Sequence, residues 1–251
     1  MVKTFDEIEL IRDSCKIVAG VLFYIGKFIK PGFTTLELDD IIEDYIKSKG
    51  GEPAFKGYRV KKNVFPASSC ISVNEEVVHG IPGERKLQDG DIVSIDVGVK
   101  KNGYFGDGAK TFSVGDISNA KKKLLRIAEE SLYIGLEHAR DGNFINDVSI
   151  AIQQHVESAG FSVVRDLVGH GIGKNLHEDP PIPNYFHGGY KNKFKEGMTV
   201  AIEPMVNYGT YKVIILNDNW TYVTADGEPS AHFEHSVLIT KGKPEILTLA
   251  A

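Results

Sequence analysis

Cysteine is almost missing: Cys15 and Cys70 are the only two among 251 residues. Two thiols cannot build a disulfide framework, and without a CxxC pair there is no thiolate cage for a structural zinc. A reducing compartment is the simplest context, and the cytoplasm is the expected location. Long apolar runs are missing too. The most apolar early stretch, Ile17 to Ile29, is broken by Lys27 and preceded by Asp6, Glu7, Glu9, Arg12 and Asp13, which fits neither a signal peptide nor a membrane span. Positive charge is not in excess. Lys and Arg number 29 against 34 Asp and Glu, a net charge of -5, which argues against a binder of nucleic-acid backbone. The cluster Lys121 to Lys123 reads as solvated helix surface. What remains, 42% hydrophobic and 25% charged, is the composition of a packed globular chain rather than a disordered one.

Apolar residues at helical spacing run from about Asp6 to Ile29 and stop at Lys30-Pro31-Gly32. Thr34 and Glu37 form a capping box for a second helix, with Leu38, Ile41, Ile42, Tyr45 and Ile46 as its apolar stripe and Gly50-Gly51 as its end. The pattern returns after residue 118. A Leu- and Ala-rich helix ends at Arg140-Asp141-Gly142, and another, around Asp147 to Ser158, ends at Gly160. A shift of 110 superposes Gly32 on Gly142, Ile42 on Ile152, Ser48 on Ser158 and Gly50 on Gly160. A shift of 107 aligns "LQDGDIVSID" (Leu87 to Asp96) with "FKEGMTVAIE" (Phe194 to Glu203), each a strand of β-branched and small residues ending in a carboxylate. The expected fold is α+β: a single domain over 1–251, with pseudo-symmetric halves of about 5–115 and 118–245 whose strands deliver Asp96 and Glu203 to a shared centre.

Asn102-Gly103 between two apolar runs signals a hairpin with a two-residue turn. That turn sets Lys101 opposite Tyr104, Gly98 opposite Asp107 and Asp96 opposite Ala109. Asp96 and Asp107 then share a face as diagonal neighbours, whereas a three-residue turn would separate them. Two such carboxylates repel each other unless a cation lies between them or both are solvated at a sheet edge. Glu203 precedes Pro204, and Glu234 is read as lying mid-strand in "SAHFEHSVLIT", where an ionised group needs a partner. With the histidine of "VGHGIG", His170, these four carboxylates form an oxygen-rich set that suits two divalent ions such as Mn, Fe(II) or Co. Ions held about 3.5–4 Å apart let a shared water ionise near neutral pH.

Among the other histidines, His138 and His155 fall on expected helices, and His187 sits in a polar loop. His235 alternates away from Glu234, and His232 shares its face as a neighbour of the centre. His79, in "VNEEVVHGIPG", and His177, in "GKNLHEDPP", are loop residues whose part is open from the residues alone. The run "GHGIGK" is not a phosphate loop, because Lys174 is followed by Asn175 and no helical run.

Five segments in order resemble the type I methionine aminopeptidases: "CISVNEEVVHGIPG", "DIVSIDVGVKKNGYFGDGAKTF", "VGHGIGKNLHEDPPIPNY", "GMTVAIEPM" and "NWTYVTADGEPSAHFEHSVLIT". The resemblance covers essentially the whole chain and implies the duplicated pita-bread fold. It implies Asp96, Asp107, His170, Glu203 and Glu234 as ligands of two divalent ions, with zinc or nickel as further options and Asp107 and Glu234 bridging. It makes Glu203 the proton shuttle, places His79 beside the scissile amide and sets His177 on the substrate carbonyl. A pocket for the methionine side chain would include Tyr58, Phe65, Cys70 and Trp220, with Phe55 near it. The implied reaction is attack of a metal-bridging hydroxide on the first peptide bond of a nascent chain that begins with Met followed by a small residue. The implied partners are such N-termini and a transient ribosome contact; no nucleic-acid specificity, no membrane and a monomer are expected.

The chain departs from the family pattern in two places. Six residues, "RVKKNV", separate Tyr58 from Phe65 where the family pattern has two, and Leu176 stands where relatives carry an aromatic or Met. Two other readings stay in play. A catalytically dead module of the same fold would have lost ligands that are all present here. An X-Pro peptidase would carry the same ligands but an additional N-terminal domain.

Overall fold

The structure, a computed structural model, describes residues 2–249. It opens with α1 (Phe5–Ile25) and α2 (Thr35–Ser48). Both start with a capping box, Thr4 with Glu7 and Thr34 with Glu37, which supplies acceptors to otherwise orphaned N–H groups. Strands β1 (Glu52–Pro53), β2 (Arg59–Val60), β3 (Asn63–Val64), β4 (Cys70–Val73) and β5 (Glu76–Val78) lead to the long hairpin of β6 (Ile92–Lys101) and β7 (Tyr104–Ser113). A second helix pair follows, α3 (Asn119–Leu136) and α4 (Ile145–Ser158). Then come β8 (Ser162–Val163), β9 (Gly169–Gly171), β10 (Glu178–Ile182), β11 (Thr199–Ile202) and β12 (Met205–Asn207). The chain continues through β13 (Val213–Ile215), β14 (Tyr222–Thr224), β15 (Ser230–His232), β16 (His235–Leu238) and β17 (Glu245–Ile246). This is an α+β chain in which a helix pair precedes strands twice over.

Helix ends differ from the periodicity. α1 stops at Ile25 rather than Ile29 because Lys27 and Phe28 donate to Tyr24 and Ile25, bonds of three-residue span that tighten and end the helix. α3 stops at Leu136 rather than Arg140 for the same reason, with His138 and Ala139 donating to Gly135 and Leu136, so His138 lies in the turn beyond the helix.

The β6–β7 register is that of a two-residue turn: Lys101 pairs with Tyr104, Gly98 with Asp107 and Asp96 with Ala109. β4 and β1 pair with the other edge of β6, and β10, β9, β11, β16 and β17 form a second sheet in that order. The two join where Glu234 N–H donates to Ala109 O at 2.9 Å. Helices cover one face. Ile17, Val18, Val21, Leu38, Ile42 and Ile46 pack on Ile95, Val97 and Val99, while Leu132, Val148, Ile152 and Val156 pack on Val200, Ile202 and Val237. Full burial of each such side chain contributes roughly 1.5–3 kcal/mol. Because strand side chains alternate, Asp96 and Asp107 point to the face the helices leave open.

Candidate active site

That open face holds a cavity of about 220 Å³, lined by Asp96, Asp107, His170, Glu203 and Glu234 at its floor and by His79 and His177 beside them. Its apolar walls are Phe55, Tyr58, Val60, Phe65, Cys70, Leu176 and Trp220. Every residue singled out from the sequence is therefore in one place. Gly98, on the same face of β6 as Asp96, leaves room for the Phe55 ring, whose nearest atom would stand 2.5 Å from any added Cβ.

The floor comes from β6, β7, β9, the residue after β11 and the break between β15 and β16. Asp96 is mid-strand rather than at a strand end, since β6 continues to Lys101. Asp107 is fixed by its main chain: its N–H donates to Ser236 Oγ at 3.1 Å, and that hydroxyl donates back to Asp107 O at 2.7 Å. Glu234, by contrast, is not mid-strand. It lies in the break between β15 and β16, where its backbone is drawn to Ala109 of the other sheet. Glu203 follows β11, and its carbonyl accepts a hydrogen bond from Asn184 Nδ2 at 3.0 Å.

His170 sits between two glycines that permit close strand contact. A Cβ on Gly169 would lie 2.4 Å from Ala201 O, and one on Gly171 would lie 2.4 Å from Asp179 O. Its Nδ1 is 2.9 Å from Gly171 O. A carbonyl can only accept, so Nδ1 carries the hydrogen and Nε2 keeps its lone pair, which faces Glu203 Oε1 at 3.5 Å and Asp107 Oδ2 at 3.9 Å. Burial holds the His170 pKa down to about 3, so the ring is neutral, as a ligand must be. Burial likewise lowers His79 to about 4 and His232 to about 3. His232 Nε2 stands 3.7 Å from Glu203 Oε2, which makes it a neighbour of the centre. His235 turns away, with Nδ1 2.8 Å from Thr248 Oγ1.

The donor set fits divalent cations. Atoms of Asp107, His170 and Glu234 lie within 4.8 Å of one another. Asp96 Oδ1 and Glu234 Oε1 are buried without a hydrogen-bond partner. Among the described residues, no Lys or Arg forms an ion pair with any of the four carboxylates; the ion-pair contacts are those of His170 with Asp107 and Glu203 and of His232 with Glu203. Burial pushes Asp96 up to about 7, and burial together with mutual repulsion raises Asp107, Glu203 and Glu234 well above the usual carboxylate range. Buried anions of this density call for an ion of opposite sign.

Residues 9–241 match the family described as metallopeptidase family M24. The methionine aminopeptidase of Clostridium perfringens is 52% identical over 249 residues, which cover 99% of this chain and 98% of that protein. The chain belongs to metallopeptidase family M24. Methionine aminopeptidase 1 of Bacillus subtilis is 53% identical over 246 residues, 98% of each chain. The crystal structure of the methionine aminopeptidase from Thermotoga maritima superposes with a TM-score of 0.95 at 45% identity, covering 99% of both chains. Within M24 the chain thus falls with the methionine aminopeptidases and shares their pita-bread fold, and as a member of this metallopeptidase family it uses divalent metal.

Sequence reasoning missed several residues of this M24 site. Val60 joins the pocket wall because residues 59–64 fold back as the β2–β3 hairpin. Ser236 and Asn184 hold the main chain of Asp107 and Glu203. On α2, buried Asp39 accepts from Ser68 N–H, Ser69 N–H and Ser69 Oγ, and Glu43 accepts from Lys56 Nζ and Ser68 Oγ. Those two carboxylates pin the segment that carries the pocket's Phe65 and Cys70. No local pattern marks such residues, since each partner lies far away in sequence. No helix among the described residues is long and apolar enough to cross a membrane.

Proposed function

We propose that the chain removes the N-terminal methionine from nascent polypeptides whose second residue is small. The observation that carries this reading is one cavity that joins a floor of four carboxylates and a neutral histidine to an apolar wall of side-chain size. Asp96, Asp107, His170, Glu203 and Glu234 would hold two divalent ions, Mn, Fe(II) or Co, or else Zn or Ni, with Asp107 and Glu234 shared between them. When bound, the ions supply Lewis acidity that lets a water ionise near neutral pH.

The chain's own groups do the rest. Glu203, raised in pKa and 3.5 Å from His170, takes the proton from the attacking water and passes it to the amine that leaves when the first C–N bond breaks. His177, exposed at the mouth with its ring 4.4 Å from that of His170, donates to the carbonyl oxygen as charge develops there. His79 lies beside the scissile amide, held at φ 58° with its ring 5.8 Å from Tyr222. Phe55, Tyr58, Val60, Phe65, Cys70, Leu176 and Trp220 receive the methionine side chain. Its transfer from water contributes roughly 1.5–3 kcal/mol, which is the basis of selectivity.

The same reading takes residues 1–251 as one catalytic domain of two related halves, about 5–115 and 118–245. It places the protein in the cytoplasm as a monomer with a transient ribosome contact and no sequence preference for nucleic acid. The test is release of Met from Met-Ala-Ser under anaerobic conditions with Mn, Fe(II) or Co added, with Ala-Pro peptides in parallel. Absence of Met release with all three ions, or faster cleavage of Ala-Pro, overturns it.

A further inference from the structure

Residues 59–64 do not loop out from the pocket. Arg59 pairs with Val64 and Val60 with Asn63 in an antiparallel ladder. The ladder runs on toward the site: Phe65 N–H donates to Tyr58 O and Gly57 N–H to Phe65 O, both at 2.9 Å, while Tyr58 N–H donates to Phe55 O at 2.8 Å. Tyr58 is thus gripped by its main chain at the root of the hairpin. Its side chain crosses to a distant part of the chain, with the phenol oxygen 2.7 Å from His177 Nδ1 and the two rings edge to face at 5.2 Å.

This hydrogen bond constrains where a proton sits. A neutral imidazole carries one N–H and one lone pair, so a hydrogen bond at one ring nitrogen decides what the other presents. Partial burial raises the Tyr58 pKa, so the phenol keeps its hydrogen. Among the described residues Nδ1 of His177 is the hydroxyl's one hydrogen-bond partner. When Nδ1 accepts that hydrogen, the ring's own hydrogen is on Nε2. An Nε2–H donates to an oxygen that is becoming negative, whereas the other tautomer would turn a lone pair toward it.

We propose that Tyr58, braced by the Arg59–Val64 hairpin, is a positioning residue that fixes His177 as the Nε2–H tautomer and so makes it a donor to the substrate carbonyl. The inference rests on the oxyanion role given to His177 above and gives Tyr58 a part beyond lining the pocket. It also accounts for the longer Tyr58–Phe65 segment, which holds the tyrosine in place through a ladder instead of displacing it.

The tautomer is read directly by nitrogen NMR of zinc-loaded protein carrying isotope-labelled histidine, with the His177 signals assigned by their loss in His177→Gln. Wild type is expected to show a protonated Nε2 and an unprotonated Nδ1, and Tyr58→Phe a mixture of both tautomers. In turnover of Met-Ala-Ser, Tyr58→Phe is expected to lower kcat by about 10-fold, part of what a whole oxyanion donor supplies, with KM within about twofold. Tyr58→Leu, which also removes the ring, should add a rise in KM to the same loss of kcat, and circular dichroism checks that both variants fold. A wild-type His177 protonated on Nδ1, an unchanged tautomer in Tyr58→Phe, or a rise in KM with kcat intact overturns the proposal. A wild type that releases no Met sinks the proposed activity instead and leaves the tautomer measurement to decide this inference.

Discussion

Removing the Asp39 carboxylate should cost stability and pocket shape together, because one buried side chain holds three donors. Asp39 is 4% exposed, and Ser68 and Ser69 are fully buried. Oδ1 accepts from Ser69 N–H and Ser69 Oγ at 2.7 Å each, and Oδ2 accepts from Ser68 N–H at 3.2 Å. In Asp39→Ala the hydroxyl can rotate to another acceptor, but the two backbone donors cannot, and each buried donor left unpaired costs about 1–3 kcal/mol. Against this stands the desolvation of the carboxylate itself, the leading cause of its raised pKa, which the variant no longer suffers. The net expectation is a loss of about 2–4 kcal/mol. Asp39→Asn keeps an oxygen for Ser69 but turns an amide N–H toward Ser68, so its loss should be smaller, about 1–2 kcal/mol. Urea unfolding followed by far-UV circular dichroism measures both. Since Ser68 and Ser69 lead directly into Cys70 of the pocket wall, KM for Met-Ala-Ser should rise in the same order while kcat of metal-saturated enzyme holds. Stability of Asp39→Ala within about 0.5 kcal/mol of wild type, or a more damaging Asn than Ala, would refute the reasoning.

Glu43, held at a pKa of about 2 by Lys47, Lys56 and Ser68, has a depressed folded-state value, so its contribution is present above 4.5 and fades as pH falls toward 2. Glu43→Gln should remove about 0.5–1 kcal/mol at pH 6 and almost nothing at pH 2, measured by urea unfolding at both. His170→Ala should abolish most turnover and weaken metal binding, whereas His177→Ala should keep metal and lose about 10²-fold or more in turnover; metal loss in the His177 variant would contradict its assignment. Because burial raises Asp96 to about 7 and Asp107, Glu203 and Glu234 well above the ordinary carboxylate range, Mn uptake should release protons and tighten as pH rises from 6 to 8. Titration calorimetry in buffers of different ionisation enthalpy counts them, and uptake without proton release would speak against the raised values.

The parts of this site that were legible in the sequence are those fixed by neighbours along the chain. Asn102-Gly103 sets a two-residue turn, the turn sets the register, and the two-residue period of a strand then decides that Asp96 and Asp107 share a face. The capping box of Thr34 with Glu37 is local in the same sense. Glu234 was misplaced because its strand breaks where Ala109, on another sheet, takes its backbone hydrogen bonds, and periodicity cannot see that competitor. The helix ends failed for a smaller reason: a final tight turn keeps helical spacing while changing hydrogen-bond span. Ser236, Asn184 and Asp39 carry no pattern at all, since their meaning is a partner supplied by the fold.

His170 and His177 come from one short glycine- and proline-rich stretch and have their rings 4.4 Å apart, yet the proposed function asks opposite things of them. A ligand must offer a lone pair at Nε2, and an oxyanion donor must offer a hydrogen there. Each answer is set at the other nitrogen. Gly171 O can only accept, so it forces the hydrogen of His170 onto Nδ1 and frees Nε2. The Tyr58 hydroxyl can donate, so on the proposal above it takes the lone pair of His177 Nδ1 and leaves the hydrogen on Nε2. Exchanging those two partners would exchange the roles. A backbone carbonyl is part of the local strand and survives any substitution at its own residue. A phenol 119 residues away in sequence does not. The donor histidine should therefore be far more sensitive than the ligand to changes at a distance, and the Arg59–Val64 hairpin is where such sensitivity should concentrate.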